Sequence, residues 1–128
     1  GTGTGILSIL AEKKGATIVH AFDKDPWSLK NTAKNIKRNN CKVINAELGD
    51  FVPSKGIYDV ILANINLNIL KDQIPSYSKI VTTGGVLLMS GFYETDLFKL
   101  IEFSEGFGFK FIRKFKKDDW LATEFIKK

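Results

Sequence analysis

The sequence predicts an α/β fold: a mostly parallel sheet with helices on both faces, finished by an antiparallel C-terminal hairpin. Three observations predict it. Short apolar, β-branched runs alternate with segments of helical periodicity, and buried strands separated by helices call for parallel pairing. The last two extended segments are joined by a tight turn, which can only pair them antiparallel. Finally, 128 residues, 44% hydrophobic and 26% charged, suit a single core of ordinary globular composition, so residues 1–128 read as one domain.

Gly1-Thr2-Gly3-Thr4-Gly5 opens the chain. A glycine loop that feeds a helix ordinarily follows a β-strand, so a first strand is expected upstream of Gly1, with this chain the later part of a longer protein. Ile6, Ile9 and Leu10 recur at helical spacing over residues 6–14, and Gly15 after two lysines marks the helix end. Residues 16–22 form a strand of the kind covered on both faces, with His20 packed within it. Asp25-Pro26 starts a second helix, capped by the carboxylate, which buries Leu29, Ala33 and Ile36 and ends at Asn39-Asn40.

A weak strand follows at 42–46 and a stronger one at 58–63. Residues 67–81 are helical, but Pro75 predicts a kink or two short helices. Gly84-Gly85 punctuates before a strand at 86–89. Residues 95–105 are helical, with Leu97, Leu100 and Ile101 inward. Phe107, Phe109, Phe111 and Phe115 then alternate with Gly108, Lys110, Ile112 and Lys114 at the two-residue strand period. Lys116-Lys117-Asp118-Asp119 turns the chain into a last strand at 120–126. Trp27 and the phenylalanine row read as core.

Composition narrows the function classes. No apolar run approaches the roughly 18 residues of a membrane span. The one cysteine, Cys41, excludes an internal disulfide framework, fits a reducing compartment such as the cytoplasm, and reads as structural rather than nucleophilic. With one histidine, a His-rich metal site and a Ser-His-Asp triad are both disfavoured, and no metal ligands are assigned. Nineteen basic against 14 acidic side chains, net +5, permit an acidic partner without requiring one.

The glycines at 1, 3 and 5 allow close backbone approach to a ligand, and the N–H groups of the following helix attract negative charge. Their spacing differs from the dinucleotide fingerprint and from a triphosphate P-loop. Asp23 ends the next strand, 18 residues after Gly5, where an acid accepts both ribose hydroxyls of a nucleoside. Asp25 is explained by capping. Asp50 either accepts a hydrogen bond from an exocyclic amino group of a base or is a loop acid, with Leu48 and Phe51 as apolar walls in the first case. Asn64 ends the best strand; its amide either holds and aims an incoming amine or caps the next helix, a task Asn66 can also perform. Lys110, Arg113, Lys114, Lys116 and Lys117 crowd the last hairpin, a solvated face unless the partner is ribosomal or nucleic acid.

Gly1-Thr2-Gly3-Thr4-Gly5-Ile6-Leu7-Ser8-Ile9, Asp23-Lys24-Asp25-Pro26, Ala63-Asn64-Ile65, Gly84 to Gly91 and Trp120-Leu121-Ala122 follow one another in order. Together they resemble the catalytic half of the ribosomal protein L-eleven methyltransferase family (PrmA type), over nearly the whole chain. The resemblance implies a Rossmann-like class I methyltransferase sheet that uses S-adenosylmethionine to methylate amino groups, a lysine side chain or an α-amine, of a large-subunit ribosomal protein. It implies that Gly1, Gly3 and Gly5 form the cofactor loop, that Asp23 binds the ribose, and that Lys24 and Asp50 flank the adenine. Asn64 would lie by the methionyl end and the amine, as the catalytic residue. Lys24 stands where the family carries an aliphatic residue, so only its methylene stem can pack there. Asp118-Asp119 replaces the family's Gly-Glu before Trp120, and the family's N-terminal recruiting domain is not in the sequence. Ribosomal RNA proximity would run through the five basic hairpin residues. The rival readings are a class I methyltransferase for glutamine, nucleic acid or a small molecule, against which the missing Asn-Pro-Pro-Tyr counts, and a basic RNA- or ribosome-binding module with a vestigial nucleotide loop.

Overall fold

The computed structural model describes residues 1–50 and 52–128. Its elements are α1 (Ile6–Lys13), β1 (Val19–Asp23), α2 (Pro26–Arg38), β2 (Ile44–Leu48), β3 (Tyr58–Asn64), α3 (Leu67–Ile80), β4 (Val81–Tyr93), a 3-10 turn at Glu94–Asp96, α4 (Leu97–Glu105), β5 (Phe109–Lys117) and β6 (Trp120–Lys127). The order of helices and strands is the predicted one. None of the described helices is long and apolar enough to cross a membrane. The chain divides into two compact units, Gly1–Phe51 and Val52–Lys128.

In the first unit β1 and β2 pair in parallel, from Val19 opposite Ile44 to Asp23 opposite Leu48. Asp25 caps α2 by accepting from the Trp27 N–H at 2.9 Å, with Pro26 at the first helical position. The buried faces of the helices differ from the apolar stripes. On α1 the buried residue is Ser8, whose hydroxyl meets that of Thr2 at 3.1 Å, while Ile6 and Leu10 are exposed. On α2 it is Thr32, wholly buried between half-buried Leu29 and Ile36; Ala33 is exposed. Trp27 is 69% exposed rather than core, with the Lys30 ammonium over its ring. His20 is exposed on β1. Cys41 is buried, and burial, with the Glu12 carboxylate adding, pushes its thiol up, which suits a structural role.

The second unit is a four-stranded mixed sheet in the order β3-β4-β6-β5, with β3 and β4 parallel and β6 antiparallel to both β4 and β5. The described strands thus form two hydrogen-bonded sheets, β1-β2 and β3-β4-β6-β5, in keeping with a fold whose first strand is not among them.

Helix α3 is one helix that runs through Pro75, so of the kink or two short helices expected there the second is excluded. Leu70, Ile74, Tyr77 and Ile80 lie on one buried face of it. Burying such side chains contributes roughly 1.5–3 kcal/mol each, more in total than the about 3 kcal/mol a mid-helix proline costs. Gly84-Gly85 does not end an element either. Both lie inside β4, where the register moves from Tyr58 opposite Val81 to Val60 opposite Val86.

Two further register shifts decide which side chains face the core. On β4, Leu87 and Met89 are buried alternately, and the irregularity between Ser90 and Phe92 moves the buried position to Phe92. On β5, Phe109 is buried and Phe111 packs on the core, but the shift between Phe111 and Arg113 turns Phe115 to the other side, 54% exposed. One extra residue reverses the pleat, so a row of phenylalanines at period two does not stay on one face.

Candidate functional site

The glycine loop is tied to the carboxyl end of β1. The N–H groups of Gly1 and Thr2 both donate to the Phe22 carbonyl, at 2.6 and 2.8 Å. The Gly3 N–H donates to Asp23 Oδ2 at 2.9 Å, and the Asp25 N–H to Oδ1 at 3.0 Å. Asp23 is buried. Burial alone would raise its carboxyl, but hydrogen bonds from the N–H groups of Asp25, Gly3 and Lys24 oppose it and hold the group below the usual range. The Gly49 N–H donates to the Asp23 carbonyl at 2.8 Å, so the exposed Asp50 and the exposed Lys24 both follow the carboxyl end of the parallel pair. Of the expected walls, Leu48 is 53% exposed, and Phe51 lies outside the described residues. Gly1, Gly3, Gly5, Asp23, Lys24 and Asp50 thus gather where ligands bind in parallel α/β sheets, at the carboxyl ends of the strands.

Gly3 and Gly5 both have left-handed backbone, at φ 60° and 84°. A Cβ on Gly3 would project into open space, whereas one on Gly5 would lie 2.9 Å from the Thr32 methyl carbon. Gly3 therefore keeps an open cradle, and Gly5 permits close packing against α2. Gly5 is also the N-cap of α1 and no side chain caps that helix, so its first N–H groups remain available to an anionic group. Asp23 Oδ2 accepts from the Gly3 N–H and Oδ1 from the Asp25 N–H, and with about four acceptor sites on a carboxylate, capacity remains for a hydroxyl even with the Lys24 N–H counted. The open glycine face, the uncapped helix and the buried carboxylate fit an adenosyl group with an amino-acid tail. Two residues that the apolar pattern passed over complete the loop. Thr32 Oγ1 donates to the Gly3 carbonyl at 2.9 Å, and Asn35 Nδ2 to the Thr4 carbonyl at 2.8 Å.

Asn64 belongs to the second unit, as the exposed last residue of β3, opposite Ser90. Its alternative as a helix cap is taken by Asn66, whose side chain accepts from the Ile69 N–H at 3.1 Å. The backbone beyond Asn64 is fixed. The Ile65 N–H donates to the Ser90 carbonyl at 3.1 Å, and a Cβ on Gly91 would lie 2.6 Å from the Ile65 oxygen. Beside Asn64 opens a cavity of about 450 Å³, lined also by Ser90, Phe115, Lys116, Lys117 and Trp120. Trp120 stacks on Tyr93, ring centroids 5.1 Å apart. The β5 irregularity is what delivers Phe115 to this cavity, opposite Ala122. Among the five basic hairpin residues, Lys114 and Lys116 both bond Glu94, and Arg113 pairs with Glu124.

This is the fold of the class I methyltransferases. A ribosomal protein L11 methylase from Lactobacillus delbrueckii subsp. bulgaricus superposes with a TM-score of 0.94 at 29% identity, over 100% of this chain and 67% of that one. A methyltransferase from Pyrococcus furiosus, at 21% identity, shares the fold with a TM-score of 0.83, over 98% of this chain and 71% of that one. The family described as "Ribosomal protein L11 methyltransferase (PrmA)" matches residues 1–128, and the chain belongs to that family. Ribosomal protein L11 methyltransferases from Phocaeicola vulgatus and Porphyromonas gingivalis are 42% and 40% identical over 100% and 98% of this chain. The chain spans 46% and 44% of their respective lengths.

Proposed function

We propose that this chain is the S-adenosylmethionine-binding catalytic part of an N-methyltransferase acting on amino groups, lysine side chain or α-amine, of a large-subunit ribosomal protein. The observation that carries the cofactor half is the 2.9 Å hydrogen bond from the Gly3 N–H to the Asp23 carboxylate, which puts loop and acid at one strand end. Asp23 accepts the ribose hydroxyls, the loop and the start of α1 receive the amino-acid tail, and Lys24 and Asp50 flank the base. When bound, the cofactor supplies an electrophilic methyl group on a sulfonium. Support for the acceptor comes from family membership and from the names of its relatives.

A lysine ammonium has an ordinary pKa of about 10.4, so the amine must shed a proton before it reacts. Among the described residues, the cavity beside Asn64 is lined by amide, hydroxyl, aromatic, aliphatic and ammonium side chains, none of them a carboxylate. The chain's contribution there is orientation and exclusion of water rather than proton abstraction. The Asn64 carbonyl accepts an N–H of the neutral amine and directs its lone pair.

Calorimetric titration with S-adenosylhomocysteine, on the natural full-length chain containing these residues, tests the reading. Saturable heat, lost in Asp23→Asn, is expected. Absence of heat and of any thermal shift would favour the RNA- or ribosome-binding module instead.

A further inference from the structure

We infer that Thr32 and Asn35 of α2 are positioning residues for the cofactor, holding the glycine loop in the one conformation that presents its N–H groups to the ligand. The inference rests on the cofactor reading above and adds residues outside the loop and outside the acid.

A trans peptide unit points its C=O and N–H in opposite directions. Thr32 Oγ1 draws the Gly3 carbonyl toward α2 at 2.9 Å, which turns the Thr4 N–H of the same peptide unit away from α2. Asn35 Nδ2 does the same to the Thr4 carbonyl at 2.8 Å, and the Gly5 N–H opposite it is held by the Thr2 carbonyl at 2.9 Å. The Gly3 N–H goes to Asp23. Among the described residues, the Gly3 and Gly5 N–H groups and the Gly3 and Thr4 carbonyls are thus engaged by the protein, while the Thr4 N–H and the first N–H groups of α1 are presented to the ligand.

The two side chains lie at i and i+3 on one helix, so a single rigid element fixes two successive peptide planes. Thr32 is wholly buried and sits where Gly5 has no side chain, so its hydroxyl cannot turn to solvent as an exposed threonine would. A loop rich in glycine loses much backbone freedom on ordering. Fixing its peptide planes before the ligand arrives removes that cost from binding, which is the general route by which preorganisation raises affinity.

The test compares wild type, Thr32→Val, Thr32→Ser and Asn35→Ala in the full-length chain. Two quantities are read: the Kd for S-adenosylhomocysteine by calorimetry, and hydrogen exchange at the bonded Gly3 and Gly5 amides without ligand. Thr32→Val keeps the shape and removes the donor; it is expected to weaken binding about tenfold, the scale of one hydrogen bond, and to speed loop exchange. Thr32→Ser restores the donor without the methyl and is expected to bind within about threefold of wild type. Asn35→Ala, at a partly exposed site, is expected to follow Thr32→Val more mildly, and serves if Thr32→Val does not fold. The inference is overturned if a folded Thr32→Val or Asn35→Ala binds as tightly as wild type, or if Thr32→Ser loses as much as Thr32→Val. If wild type itself does not bind, the cofactor reading fails; faster loop exchange in Thr32→Val would then still support the clamp, and unchanged exchange would overturn it.

Discussion

Gly3 and Gly5 have the same backbone handedness and different neighbours, and single substitutions should separate them. Alanine at either position must adopt a left-handed conformation, at about 1–2 kcal/mol. At Gly5 the new Cβ would also press on Thr32 from 2.9 Å, adding overpacking of about 1–3 kcal/mol. Gly5→Ala should therefore lower stability by roughly 2–5 kcal/mol in urea unfolding, and Gly3→Ala by the smaller strain alone. Gly3→Ala should instead weaken S-adenosylhomocysteine binding, since its Cβ enters open space beside the loop. Equal destabilisation by the two would contradict the division of roles. The loop and Asp23 were readable because both are written as residue type at a fixed spacing. Thr32 was not, because a polar residue on an amphipathic helix reads as facing water. Its reason for being buried lies in a glycine 27 positions earlier in the chain.

At the scale of elements, the two asparagines flanking Ile65 separate structure from chemistry. Asn66 caps α3, and Asn66→Ala should cost about 1 kcal/mol of stability while leaving methyl transfer intact at permissive temperature. Asn64→Ala should do the reverse: stability near wild type, cofactor affinity little changed, and turnover lowered about a hundredfold through misplacement of the amine. Parallel loss of cofactor affinity and turnover in Asn64→Ala would remove its proposed role. Helices and strands were legible from periodicity, including α4 with Leu97 and Leu100 buried. The failures arose where tertiary packing overrides local preference. Pro75 stays helical because one face of α3 is buried on both sides of it, and Phe115 leaves the core because a register irregularity, invisible in the residue pattern, intervenes after Phe111. Strand alternation likewise does not say which strands are neighbours: β6, the last in the chain, lies between β4 and β5.

Across the whole chain the acid response should report the two units separately, because each holds carboxylates below their ordinary range. In Gly1–Phe51 these are Asp23, described above, and Glu12, lowered chiefly by the Lys42 N–H, with burial opposing and the Val43 N–H adding. In Val52–Lys128 it is Glu94, brought from 4.5 to about 2 by hydrogen bonds from Lys116 and Lys114. A carboxylate whose pKa is lower folded than unfolded binds protons more weakly in the native state. The stability it confers is complete above its unfolded pKa and is lost as pH falls through the folded one. For Glu94 that window runs from 4.5 down to about 2, not through neutral pH. Its partners are surface lysines, 45% and 49% exposed, so the lowering should shrink in concentrated salt, whereas that of Asp23, buried and bonded to backbone, should persist. Residue-resolved carboxyl NMR titration at low and high salt reads both. Glu94 is expected to titrate near 2 and to move upward with salt, and Glu94→Gln to abolish the acid loss of amide protection along β5. A Glu94 midpoint above 4 at low salt would mean that Lys114 and Lys116 are not held, returning two cations to the hairpin and strengthening the case for a nucleic-acid partner there.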